Sequence, residues 1–506
     1  MAHLVLGIDL GTSAVKVALV DRGGRVLDGE RESYPIESET AGAMEQNPRD
    51  WTRAVVASVG RLGARHDLAR VAAIGLSGQL PTLVVIRDGK PLGRAVTWMD
   101  GRADAWTRRR LGPARRQAFY RITGMPLDGR YIGPMYAYHR GRARCRGAAA
   151  DRVLSAKDYL YLWLTGEPRT DPATAAGYGM WDLKEGAWSH NLARLWSLDT
   201  TQLPAVVAGA DALGRLLDVR AGELGLPRGA SVHVGTGDSL AAVVGGGGLR
   251  SHCLTVVWGS STALIGTVTA PVLDEAARYL VTPHAVPRLY GVETDLLATG
   301  AGVDWLSALA GWESGRLVGA AGAVPPGADG VRFAPYVAGA EQGVLWRDSL
   351  SGAVLGLTTA HTIAHLGRAF LEGVAFEIRR CLEVLSEPMG RVDDVVLLAP
   401  GLRGWVAGML ADVLAHDVRH VRDGLVGARG AAVLTGATDI AADAADACRA
   451  LVAGNTSVHP TNEASRSLYE GLYQEHLRRF PRDARVRAAQ PRHRTRPTQE
   501  RRLHRP

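Results

Sequence analysis

The sequence is poor in cysteine: its 506 residues include four, Cys145, Cys253, Cys381 and Cys448. They lie far apart and form no Cys-x-x-Cys pair, so neither a thiolate zinc site nor a disulfide framework is indicated, and a reducing cytoplasm fits this usage best. No apolar run approaches the roughly 18 residues a membrane-spanning helix needs. The N-terminus, Met-Ala-His-Leu-Val-Leu-Gly-Ile-Asp-Leu-Gly-Thr-Ser, has no basic leader and runs straight into a motif, so it reads as mature structure and not as a signal peptide. Lysine is scarce as well, at Lys16, Lys90, Lys157 and Lys184. None of them sits in a Gly-x4-Gly-Lys-Ser/Thr loop, which excludes that phosphate-binding motif. The protein-kinase pairs His-Arg-Asp and Asp-Phe-Gly are missing, as is His-Glu-x-x-His, and the glycines from Gly245 to Gly248 lack the dinucleotide spacing.

What is present is an ordinary globular composition. Hydrophobic residues make up 46%, enough for a sizeable core. The length suggests two to four domains at roughly 100–200 residues each. The formal charge of +8 invites a nucleic-acid reading until it is located. Eleven arginines, against Asp483 and Glu500, fall between Arg478 and Pro506; taking that +9 from +8 leaves −1 on the rest of the chain. The excess belongs to one low-complexity tail, read as disordered, and neither nucleic acid nor a membrane is expected as a partner.

Two segments share a plan. From Leu4 an apolar strand meets Asp9-Leu10-Gly11-Thr12-Ser13, a second strand runs from Val15 to Val20, and a third follows the turn at Asp21 to Gly24. From Cys253 another apolar strand meets Gly259-Ser260-Ser261-Thr262, and a second strand leads to Val268. Both read as hairpins with small residues at the tip, and the repetition suggests two similar domains facing each other. Further strands are expected at 72–76, 83–86, 232–235 and 394–398. Spacings of three and four, as in Ile363, Leu366, Phe370, Val374 and Ile378, predict helices over 362–385 and 404–415. Strands mixed with helices argue for α/β domains. The segment 320–330 reads as a surface loop, and 245–248 as a joint between domains.

Four motifs carry chemistry. Gly11 lets the first tip turn sharply, and Thr12, Ser13 and the backbone N–H groups form a nest for a phosphate, with Lys16 close behind; Asp9 suits a hydrated Mg²⁺. The same residues also suit a plain β-turn. Gly235-Thr236-Gly237-Asp238 ends a strand with a carboxylate at a helix start, where it serves either as a general base or as a simple cap. Gly259, Ser260 and Ser261 suit a terminal phosphate or an ordinary turn. Gln79, Leu80 and Pro81, with Trp98 and Asp100, mix apolar walls and hydrogen-bonding groups as polyol recognition requires, and equally suit a loop and a helix entry.

In order, Asp-Leu-Gly-Thr-Ser at Asp9, Gly-Leu-Ser-Gly-Gln ending at Gln79, Trp-x-Asp-Gly-Arg at Trp98, Ala-Lys-Asp-Tyr-Leu at Ala156, Gly-x-Gly-Asp ending at Asp238, Gly-Ser-Ser at Gly259, Phe-Ala-Pro-Tyr at Phe333 and Arg-Ala-Phe-Leu-Glu-Gly at Arg368 resemble the FGGY carbohydrate kinases from end to end, and among them the xylulokinases. The resemblance implies two actin-like, ribonuclease-H-like α/β domains with an interdomain cleft: 1–246 binding sugar, 247–480 binding ATP, and 481–506 as the tail. It implies that Asp238 is the catalytic base, that Asp9 and Asp238 hold Mg²⁺ largely through water, and that Gly11, Thr12, Ser13, Lys16, Gly259, Ser260 and Ser261 hold phosphates. It further implies that Pro400, Gly401 and Arg403 meet the nucleoside, and that Gln79, Leu80, Pro81, Trp98, Asp100 and Asp238 meet the sugar. The implied reaction moves the γ-phosphoryl of ATP to a ketose hydroxyl, D-xylulose at O5, with closure of the cleft excluding water. A homodimer is compatible with it.

The chain departs from that pattern in places. Leu80-Pro81 stands where xylulokinases carry Met-His. Pro400 and Leu402 interrupt a turn that is usually all glycine, and the segment 339–343 replaces a usual Gly-Glu-Arg. The first change leaves another ketose or a polyol open as substrate (L-xylulose or ribulose among them), and the second leaves open a sugar-binding regulator with weak catalysis. An actin-like filament or chaperone ATPase would share the two domains without needing Gln79, Asp100 and Asp238 together.

Overall fold

The structure is a computed structural model that describes residues 3–140, 151–208, 212–339, 341–347, 349–440 and 445–480; Cys145, Ala340 and the basic tail 481–506 lie outside the described residues. The first apolar run forms β1 (Leu4–Leu10), buried throughout, which turns into β2 (Ala14–Val20), and β3 (Val26–Ser33) follows. Helix α1 (Pro48–Gly63) starts where Asn47 accepts a hydrogen bond from the Arg49 N–H and Pro48 presets the first turn. Its buried stripe, Trp51, Val55, Val59 and Leu62, covers one face of the sheet. The sheet is completed by β4 (Val71–Gly78), β5 (Leu213–Arg215) and β6 (Ser231–Gly237), in the order β5-β6-β4-β1-β2-β3. Helices α2 (Ala156–Thr165) and α3 (Asp238–Gly245) belong to the same half.

The second half opens with β7 (Cys253–Trp258), β8 (Thr262–Val268), β9 (Leu280–Pro283) and β10 (Tyr290–Leu296), then α4 (Gly300–Leu309), α5 (Ser314–Ala321) and α6 (Ile363–Met389). It closes with β11 (Asp394–Leu398), α7 (Gly404–Leu414), β12 (Val418–Val421), α8 (Val426–Leu434), β13 (Thr456–His459) and α9 (Glu463–Arg479). Its seven-stranded sheet runs β9-β10-β8-β7-β11-β12-β13. Set β7 on β1, β8 on β2, β10 on β3, β11 on β4, β12 on β6 and β13 on β5, and every neighbouring pair has the same direction in both sheets. The repeat expected from two hairpins thus extends through both domains. The long helix α6 buries Phe370, Val374, Ile378, Leu382 and Leu385 at helical spacing against the second sheet.

One expectation holds only in part. The segment 320–330 is mostly exposed turn, but Ala321 ends α5, and Ala321, Val324 and Ala328 anchor the segment in the hydrophobic core. Its glycines and prolines suggested a loop, but the apolar positions three and four apart are the ones that pack.

The two halves join where α3 and α8 cross, and α8 also lies on the first sheet over β1 and β4. The crossing depends on a missing side chain: a Cβ on Gly430 would stand 1.8 Å from the Ala241 carbonyl oxygen, and one on Gly245 would stand 2.0 Å from that of Val426. Helix propensity alone would favour Gly430→Ala by about 1 kcal/mol. Backbone overlap costs about 1–3 kcal/mol or more and cannot be relieved by a rotamer change. The clash wins, so Gly430→Ala is expected to lower the thermal midpoint; an unchanged or raised midpoint would refute the close crossing.

Candidate active site

Both hairpin tips open into one cavity of about 480 Å³ between the domains, a size suited to a small ligand. Asp9, Gly11, Thr12, Ser13, Lys16, Leu80, Pro81, Trp98 and Asp238 line it from the first half, and Gly259, Ser260, Ser261 and Pro400 from the second. Gly401 and Arg403 lie in an adjoining cavity of about 290 Å³, which shares Trp258, Gly259 and Ser260 with the first. There the Arg403 guanidinium donates to the Gly315 carbonyl at 3.2 Å.

The tips are held rigidly. The Gly11 N–H donates to the Ala14 carbonyl at 3.1 Å, the Tyr34 hydroxyl donates to the Gly11 carbonyl, and the Trp98 indole donates to Thr12 Oγ1 at 3.0 Å. At the second tip the Gly259 N–H donates to Ser261 at 2.8 Å, while Gly300 and Ala301, at the start of α4, donate to the Gly259 and Ser260 carbonyls at 3.1 and 3.0 Å. Hydroxyls and backbone groups at such turns make anion-binding concavities.

Asp238 is the first residue of α3, with Gly237 as the cap, and its carboxylate accepts from the Ser239 N–H at 2.8 Å. Burial, and then the neighbouring charge of Asp9, push its pKa up to about 6. A carboxylate so poised accepts a proton near neutral pH more readily than an ordinary one. Asp9 is 5% exposed, accepts from Ser77 Oγ at 2.8 Å and lies 3.8 Å from Lys16 Nζ. Two carboxylates beside hydroxyl-rich turns form a hard oxygen donor set of the kind Mg²⁺ prefers. Among the described residues no three His, Cys, Asp or Glu converge as a closed metal cage.

The strand end before Asp238 is shaped by a glycine and two side chains. Gly235 sits at φ 75°, and a Cβ there would strike the Leu76 carbonyl at 1.6 Å. The Gly235 N–H donates to His233 Nδ1 at 3.0 Å, and His233 stays neutral because burial, aided by the charge of Lys157, lowers its pKa to about 4. Lys157, 1% exposed, donates to the Val234 carbonyl at 2.9 Å and to Asp158 at 2.8 Å, and lies 3.2 Å from Asp171.

Two expected sugar ligands do not reach the cavity. Gln79 is 1% exposed, and its amide donates to Gln46 Oε1 at 2.8 Å; Gln46 in turn donates to the Thr12 carbonyl at 2.6 Å, so Gln79 braces the first tip from behind. Asp100 is also 1% exposed and is occupied by the Arg102 guanidinium at 2.9 Å and the Met44 N–H at 3.1 Å. Gln79 and Asp100 are supports, held by the motif-free segment 44–46 and, for Asp100, by Arg102 of its own motif, while Leu80, Pro81 and Trp98 of the same two motifs line the cavity.

The cavity also contains residues the motifs did not flag. Arg130, Glu293, Asp295 and Gln342 line it. Gln342 reaches across the domains, donating to Asp128 Oδ2 at 3.0 Å, and Glu341 fixes its loop by accepting from the Leu297 and Gln342 N–H groups at 3.1 and 2.9 Å. Two signals were available: an Asp-Gly turn, Asp128-Gly129, just before Arg130, and Glu293 with Asp295 two apart, hence on one face of the strand Tyr290–Leu296.

Comparison with known proteins agrees with the motifs. Residues 4–245 match the N-terminal domain, and residues 254–438 the C-terminal domain, of the FGGY family of carbohydrate kinases. Xylulose kinase of Escherichia coli K12 is 29% identical over 436 residues, covering 85% of this chain and 89% of that enzyme. Gluconokinase of Bacillus subtilis 168 is 26% identical over 443 residues, 83% of this chain and 84% of that enzyme. The solved structure of a xyloylose kinase from Brucella ovis superposes with a TM-score of 0.82 at 28% identity, covering 94% of this chain and 98% of that one.

Proposed function

The chain belongs to the FGGY family of carbohydrate kinases, and from that premise we propose that it phosphorylates a small ketose, D-xylulose giving D-xylulose 5-phosphate, with Asp238 as the general base. The observation that carries this reading is the meeting of both tips and Asp238 in one cavity. In it, residues 1–246 take the sugar and 247–480 the nucleotide. Gly11 and Gly259 shape the turns on which the N–H and hydroxyl groups of Thr12, Ser13, Ser260 and Ser261, with Lys16, hold the phosphates of ATP; Pro400 in this cavity, with Gly401 and Arg403 in the adjoining one, meets the nucleoside. Leu80, Pro81 and Trp98 wall the sugar, and Asp238 takes the proton of the attacking hydroxyl. Positioning and charge stabilisation supply most of the rate in such transfers, and the rigidly braced tips suit that task. Asp9 and Asp238 would hold Mg²⁺, largely through water, which when bound neutralises charge on the phosphates.

Steady-state ADP release with MgATP across D-xylulose, other ketoses and polyols tests the reading. Turnover with D-xylulose is expected to exceed the rest. A second reading keeps the chemistry and changes the sugar, and Leu80-Pro81 at the cavity wall favours it; a clear preference for L-xylulose, ribulose or a polyol would replace D-xylulose. No turnover with any acceptor would overturn both readings.

A further inference from the structure

Arg130 from the first domain and Asp295 from the second both line the cavity that holds Asp238. Arg130, from the first, grips the buried Asp128 in a fork: Nε to Oδ1 at 2.9 Å and Nη2 to Oδ2 at 3.0 Å. Among the described residues Nη1 is engaged by nothing, and the guanidinium lines the cavity. Asp128 is held in turn by Gln342 from the other domain, so the guanidinium is fixed before a ligand arrives. Asp295, from β10 of the second domain, lines the same space, and among the described residues its carboxylate takes no hydrogen bond or ion pair. It lies close enough to Arg130 and Asp238 to feel both charges.

We infer that Arg130 and Asp295 select the acceptor, Nη1 donating to one sugar oxygen and the Asp295 carboxylate accepting from neighbouring hydroxyls, so that the site takes an uncharged polyhydroxylated sugar and turns an aldonate away. The inference rests on the sugar-kinase reading of the cavity and deepens it. The charge balance carries the second half. Four acids (Asp9, Asp238, Glu293, Asp295) and three bases (Lys16, Arg31, Arg130) line the cavity. Lys16 lies beside Asp9, Arg31 stands opposite Lys16 on the neighbouring strand at that same end, and Arg130 is held by Asp128, so beside Arg130 the cavity presents three acids, Asp238, Glu293 and Asp295. Burial, and then the charge of Glu293, push the Asp295 pKa up to about 7, as expected of a site already crowded with negative charge. A sugar acid would add a further carboxylate there. A neutral diol instead satisfies a carboxylate that is otherwise unpaired.

Titration calorimetry of the full chain with D-xylulose, other neutral ketoses and polyols, and D-gluconate tests this without relying on turnover. The wild type is expected to bind a neutral sugar and to give no heat with gluconate; Asp295→Asn is expected to weaken the neutral sugar about ten- to hundredfold. Steady-state kinetics should then show the loss in acceptor KM, with ATP KM unchanged. Arg130→Gln should do the same, but it strands Asp128, so the isosteric Asp295→Asn carries the test if that variant fails to fold. Gluconate bound as tightly as the best neutral sugar, no neutral sugar bound at all, or Asp295→Asn within twofold of wild type would each overturn the inference. Binding without ADP release would instead overturn the kinase reading and leave the selection standing.

Discussion

Asp238→Asn is expected to lower kcat by about 10²–10⁴-fold, the usual contribution of a positioned general base, while the protein stays folded. Loss of the base and loss of stability separate cleanly here. The carboxyl pKa is raised to about 6, so the folded state binds more protons than the unfolded state between the ordinary carboxylate range and pH 6. Its charge therefore costs stability as pH rises through that window, and the neutral amide removes the cost. The variant should denature no earlier than wild type at pH 7, and a Tm drop would mean that the side chain has a structural role. The same pKa sets the pH profile. The base works only when ionised, so kcat/KM of the wild type should fall about tenfold per unit below pH 6. In the Asn variant that limb should vanish from the residual activity. A variant with wild-type kcat, or with the acid limb intact, would remove Asp238 from the chemistry.

The parts of this molecule legible in its sequence are the local ones. A strand, a small-residue tip and a second strand are contiguous, so both phosphate-sized turns could be read from residues within ten positions of each other, and both are found lining the cavity. The start of α3 at Asp238 was legible for the same reason. What was not legible depends on distant partners. Gln79 and Asp100 carry the right groups for sugar binding, yet their fate was decided by Gln46, Arg102 and the Met44 N–H, which fold over them. Arg130 and Gln342 come together only because the domains close over Asp128, across more than two hundred residues of chain. The α3–α8 crossing is of the same kind: nothing near Gly430 in the sequence announces Ala241, and only the packed structure shows why a side chain is excluded there.

Lys157→Met is expected to destabilise the first domain by about 3–5 kcal/mol, the typical cost of removing one partner of a buried ion pair. The size follows from what remains. Lys157 and Asp158 are 1% and 0% exposed, Asp171 is 6% exposed, and the ammonium lies between the two carboxylates. Asp158 keeps the Tyr178 hydroxyl at 2.7 Å and Asp171 keeps the Ala173 and Thr174 N–H groups, but neither keeps a cation. Methionine fills the volume, so packing cannot account for the loss. Equilibrium denaturation would measure it, and a difference under about 0.5 kcal/mol would show that the carboxylates escape to water or protonate at little cost. The functional consequence is separate. Lys157 also ties down the Val234 carbonyl, next to the bend at Gly235 and four residues before Asp238. Its loss should therefore lower kcat in the fraction that remains folded, and leave the KM for ATP near wild type. Arginine cannot restore this, because a planar fork does not replace a compact ammonium donating to two carboxylates and a carbonyl at once. If Lys157→Met proved unstable but fully active per folded molecule, the lysine would serve the fold alone, and His233 with Gly235 would suffice to set Asp238.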